Sequence, residues 1–106
     1  MKATYILLAC SLLAAGCQNE SPQGNPDDGN VYYKRAETDR VQGDGNKAIA
    51  NYTEAIRCFD HAHDPMLPSA YFGRGLTYSR MGKRVDAGKD FDEAERLGYP
   101  VGKRPR

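Results

Sequence analysis

The chain has 106 residues, with 15 Lys and Arg against 14 Asp and Glu, a formal net charge of +1. Basic and acidic side chains are interleaved, so no sustained basic stripe points to nucleic acid. No G-x-S-x-G, P-loop or paired-carboxylate constellation is present, so the sequence predicts neither an enzyme nor a cofactor.

Met1 and Lys2 give a short cationic start, residues 5–15 an apolar stretch, and Ala14, Ala15 and Gly16 small side chains just before Cys17. That order is the pattern of an export signal. The run is too short to cross a bilayer as a helix, which takes about 20 residues. Leu13-Ala14-Ala15-Gly16-Cys17 resembles the lipobox of bacterial lipoproteins, with Ala14 where that family usually has Leu. The resemblance implies cleavage before Cys17 and acylation of Cys17. An ordinary secretory signal with an incidental cysteine is the competing reading. Each buried CH₂ contributes about 0.8 kcal/mol, so two or three acyl chains would hold the protein to a membrane. Gln18, rather than Asp, after the cysteine implies sorting to the outer membrane of a Gram-negative cell, facing the periplasm.

On that reading Cys10 leaves with residues 1–16, Cys17 carries lipid, and Cys58 stays as the one thiol, so no internal disulfide forms. Residues 17–64 hold 5 basic and 9 acidic side chains, and residues 65–106 hold 9 and 5. This is either a dipole suited to head-to-tail contact or a mosaic of solvated faces. Residues 18–30 have no large apolar side chain but two Pro and two Gly, so residues 17–30 read as a lipidated flexible linker. A folded unit is expected over 31–100, and a basic tail over 101–106.

Within the folded unit the sequence repeats with a shift of 39. Tyr32/Tyr71, Arg35/Arg74, Thr38/Thr77, Gly43/Gly82, Ala48/Ala87, Glu54/Glu93, Ala55/Ala94 and Arg57/Arg96 are identical pairs. Tyr33/Phe72, Ala36/Gly75, Asn51/Asp90 and Tyr52/Phe91 are close substitutions. Each copy reads as two helices, the first stopped by Gly43 or Gly82. The second is built on Ala48, Tyr52 and Ala55, or Ala87, Phe91 and Ala94, at i, i+4, i+7. Pro68 and Ser69 open the third helix, and Gly98 with Pro100 closes the fourth.

The pattern resembles the tetratricopeptide repeat (TPR), a helix–turn–helix unit of about 34 residues. The second copy carries Tyr71, Gly75, Tyr78, Gly82, Ala87, Phe91 and Ala94, and the first carries Tyr32, Ala36, Gly43, Ala48, Tyr52 and Ala55. Arg35 and Arg74 depart from the family's Leu, and Asp39 from its tyrosine. Pro100 comes one place late, and extra residues lie around "HAHDPML". The resemblance implies an all-α fold of two tandem repeats in a short α-solenoid; a generic four-helix bundle is the rival. Such arrays usually need about three units and a capping helix, so the fourth helix is expected to be covered, by a second copy or a partner.

The family further implies a groove lined by the first helix of each pair, here Tyr33, Glu37, Arg40, Phe72, Leu76 and Arg80. These aromatics, Leu and Arg suit an extended peptide, although Tyr33 or Phe72 could instead serve packing between the copies. The Lys and Asn set that some members use to clamp a C-terminal carboxylate is missing. "CFDHAHD" (58–64) concentrates Cys58, Asp60, His61, His63 and Asp64, but one short run supplies every ligand, unlike the separated ligand pairs of a zinc site. The favoured reading is a buried Cys58 acting as a small hydrophobe, with the histidines on an exposed loop. The expected protein is a lipid-anchored envelope adaptor that binds a partner protein or peptide. The alternatives are a periplasmic metal-binding or sensory protein using Cys58, His61 and His63, and a self-associating structural subunit. Outer-membrane tetratricopeptide lipoproteins that assist pilus assembly or dock cell-wall hydrolases are the functional analogues.

Overall fold

A computed structural model describes residues 28–100 and residue 102. The signal, Cys17 and the tail apart from Gly102 lie outside the described residues. Those described form four α-helices and no strand: α1 Gly29–Val41, α2 Gly45–Ala62, α3 Leu67–Arg80 and α4 Arg84–Arg96. The first begins two residues before the expected start of the folded unit. Asp28 explains this, because its carboxylate accepts from the Asn30 amide at 2.9 Å and caps the helix. Gly29 is buried, and a Cβ there would lie 2.6 Å from the Phe59 ring, so only glycine brings α1 this close to α2.

Every helix ends the same way. Gly43, His63, Gly82 and Gly98 take positive φ, and the next amide reaches back to the carbonyl five residues earlier. These bonds are Asp44 to Asp39, Asp64 to Phe59, Lys83 to Tyr78 and Tyr99 to Ala94, at 2.8–2.9 Å. The left-handed residue turns the chain so that orphan carbonyls are satisfied at once, which permits the short antiparallel connections. His63 is the exception in residue type. The loop expected between the copies is shorter than read from the sequence: α2 continues to Ala62, placing His61 in its last turn, and the connection runs over 63–66 with exposed His63 at the closing position.

The core follows the expected i, i+4, i+7 faces. Ala48, Tyr52 and Ala55 of α2 and Ala87, Phe91 and Ala94 of α4 are all buried. Tyr52 packs with Ala36 and Ala48, while Phe59 packs with Ala55, Ile56 and Ala70; Tyr33 touches both groups. Small residues let the helices approach: a Cβ on Gly73 would stand 2.6 Å from the Tyr52 ring, and one on Gly75 2.8 Å from Phe91. Among the described residues α1 packs on α2, α2 on α3 and α3 on α4, with a slight α1–α3 contact. α1 and α4 show no comparable close approach.

Two glycines should respond oppositely to alanine. Gly73→Ala drives a methyl into a ring that cannot retreat, and a loss of about 1–3 kcal/mol is expected. Gly88 lies inside α4 with nothing within 4 Å of a built Cβ. Gly88→Ala should therefore gain about 0.5–1 kcal/mol. Urea unfolding of both variants checks the pair.

Candidate functional site

The six groove residues fall on α1 and α3, and the structure gives them unlike duties. Tyr33 packs edge-on against Tyr52, with centroids 5.9 Å apart, and lies 6.2 Å from Phe59. Glu37 accepts from the Tyr52 hydroxyl at 2.6 Å and from Arg40 Nη2 at 2.6 Å. Arg40 Nε donates to the same hydroxyl at 3.0 Å. The hydroxyl thus gives one bond and takes another, and three polar groups close a ring over a fully buried aromatic side chain. Glu37 and Arg40, one turn apart on α1, are therefore chiefly anchors for Tyr52.

Titration follows from this arrangement. Partial burial pushes Glu37 up, but hydrogen bonds from Tyr52 and Arg40 outweigh it and hold the carboxyl below its ordinary range. Burial, together with the neighbouring Glu37 charge, raises Tyr33 to about 12. Tyr52 is raised as well, first by burial and then by its bond to Glu37.

On α3, Phe72 stacks on Tyr99 with centroids 4.6 Å apart and lies 5.5 Å from Phe91. Leu76 is half-buried and Arg80 is exposed at the helix end. In the 39-residue register Arg80 matches Val41, and Ser79 is the match of Arg40. Tyr99 was not among the residues singled out from the sequence, although a signal existed. An aromatic directly after a helix-stopping glycine is thrown back across the preceding turns, and here it lands on Phe72.

Arg74, which stands where the sequence resemblance led one to expect Leu, is central. Its Nε and Nη2 donate to the two carboxylate oxygens of Asp90 at 2.7 and 2.8 Å, and Nη1 donates to Thr53 Oγ1 at 3.0 Å. The guanidinium also lies over Tyr71 and Tyr78, at 5.7 and 5.9 Å from the centroids. In the first pair Arg35 lies over Tyr32 at 5.8 Å, and Asn51 donates to Asp39 at 2.8 Å.

Cys58 is buried, while His61 and His63 are exposed, so the three do not share one environment. Among the described residues no group of three or more His, Cys, Asp or Glu side chains converges on a metal position. Comparison with known proteins gives no matching family model, no matching curated protein and no matching solved structure.

The polar ring makes a signed prediction. Because Glu37 titrates lower in the folded state, its contribution is present above the ordinary carboxyl pKa and is lost as pH falls through the depressed value. Tyr52→Phe removes one donor, so acid unfolding should begin at higher pH, with about 1 kcal/mol lost at neutrality. Tyr33 acts at the other end, contributing stability below pH 10 that fades toward pH 12. Tyr33→Phe should flatten that alkaline loss. Thermal melts from pH 2 to 12 check both.

Proposed function

We propose that the chain is a lipid-anchored adaptor of the bacterial cell envelope, built of two tandem TPR-like repeats, that binds a partner protein or peptide across α1 and α3 and performs no catalysis. One observation carries the repeat reading: positions 39 residues apart have like surroundings. Ala36 and Gly75 lie buried, packed with Tyr52 and Phe91 respectively. Gly43 and Gly82 close α1 and α3, and Arg35 and Arg74 each lie over the tyrosine three residues before. Packing of each helix on its chain neighbours supports an open stack. The signal-like start, Cys17 and Gln18 support a tether to the outer membrane on the periplasmic side.

Within this reading the contact surface narrows. Glu37 and Arg40 are occupied with Tyr52, so recognition falls to Tyr33, Phe72, Leu76 and Arg80, with Tyr99 beside them. Self-association is the weaker reading. The exposed positions of α4 include Asp86, Lys89, Asp92, Glu95 and Arg96, and Val85 is its exposed large apolar side chain. Such a helix end tolerates water without a cover.

The test places a photo-crosslinking amino acid at Leu76 in one cell line and at Lys89 in another. The adaptor reading expects an envelope protein captured from position 76 and absent from position 89. Capture of only the chain itself from both positions favours a structural subunit. Cys17→Ser should abolish palmitate labelling and release the chain from the membrane fraction; continued labelling would remove the anchor.

A further inference from the structure

Each groove helix carries an aromatic side chain set against two other rings. Tyr33 of α1 lies against Tyr52 and Phe59, and Phe72 of α3 against Phe91 and Tyr99. The second flanking ring differs in origin between the two. Phe59 is fixed inside α2 and is 2% exposed. In the 39-residue register its match is Gly98, which takes the left-handed conformation at φ 95°. The ring that meets Phe72 therefore comes from the next residue, beyond the last turn of α4.

Tyr99 also reaches both helices of the groove. Its half-buried ring stacks on Phe72 at 4.6 Å and 26°. On the α1 side it bears on Tyr33, whose pKa is raised first by burial, then by Glu37, and further by Tyr99. One side chain thus spans two helices that otherwise make only a slight contact. The Tyr99 amide is held by the Ala94 carbonyl at 2.9 Å, so the backbone is fixed. The ring is not inside a helix and can leave Phe72 by turning about its own side-chain bonds.

We propose that Tyr99 is a built-in plug of the groove: its ring occupies the seat on Phe72 that an aromatic side chain of a partner takes, and it swings out when that partner binds. The inference rests on the adaptor reading, because it concerns the same groove. An aromatic occupant is specified by the one already seated. A ring face offered to a near-parallel ring at stacking distance accepts another planar ring in the same geometry, which an aliphatic side chain cannot reproduce. The chain's own ring then competes with the incoming one, and apparent affinity falls by the fraction of molecules in which the seat is open.

The test uses the full chain carrying Cys17→Ser, titrated with N-acetyltyrosinamide and followed by amide NMR. Saturable shifts are expected at Phe72 and Leu76, and Tyr99→Ala should bind the probe about fivefold more tightly than the parent chain. Tyr99→Leu, which keeps an apolar cover but no ring face, should move in the same direction. Tyr99→Phe keeps the ring and should bind like the parent. Adding Phe72→Leu to Tyr99→Ala should weaken binding again, and melting curves check that each variant is folded. Equal affinity with and without the Tyr99 ring overturns the plug. So does a Tyr99→Ala chain that binds no probe, or one whose binding ignores Phe72→Leu. The adaptor reading fails separately, because it depends on what photo-crosslinking from position 76 captures and not on this probe.

Discussion

Arg74 holds three helices to one point. It rises from α3, clasps the nearly buried Asp90 of α4 with both oxygens, and reaches Thr53 of α2 with its remaining terminal nitrogen. Neither charge could sit there alone. An unpaired carboxylate at the burial of Asp90 costs several kcal/mol, and the pairing holds the guanidinium firmly charged. Two tyrosine faces complete its surroundings. An apolar side chain in that place would fill the space, but it would impose no direction. The planar fork fixes how far α4 may rotate against α3, since both oxygens must be met together.

The two helix pairs meet a similar packing requirement by different chemistry. In the second pair Phe91 lies against Gly75 and Phe72, an apolar arrangement. In the first pair Tyr52 fills the matching place, and its hydroxyl compels a polar answer from Glu37 and Arg40. The matching residues in the second pair are Leu76 and Ser79, which make no such ring. One oxygen atom thus explains why two charged residues on α1 became internal supports, while their counterparts on α3 keep a freer surface. In the adaptor we propose, this asymmetry leaves the side chains of α3 and of the end of α4 available to a partner.

Much of the fold was legible in the sequence because its signals are local. Glycine stops, Pro68 in a first turn, and alanine-aromatic-alanine faces each act within one or two turns. They fixed the four helices to within a few residues. Legibility failed where a side chain acts across helices. That Glu37 serves Tyr52 depends on a distance between α1 and α2 that no pattern within α1 encodes. The partnership of Arg74 with Asp90 spans 16 residues and stood hidden as a departure from an expected leucine. The end of α2 was missed because a histidine took the left-handed place usually given to glycine. The candidate positions could therefore be named from the sequence, but not the contacts that each of them makes.

The neighbour-to-neighbour packing of the helices has a consequence for how the chain acquires and loses its shape. Nearly every tertiary contact joins segments that follow one another, so ordering them closes only short loops. Folding should be fast, starting in either helix pair and spreading through the α2–α3 contact. Unfolding should be graded along the axis, with an outer helix able to peel away while the inner two stay paired. Arg74 sits on the inner side of α4, so its release marks the point where peeling from that end must break an ion pair rather than shed apolar surface.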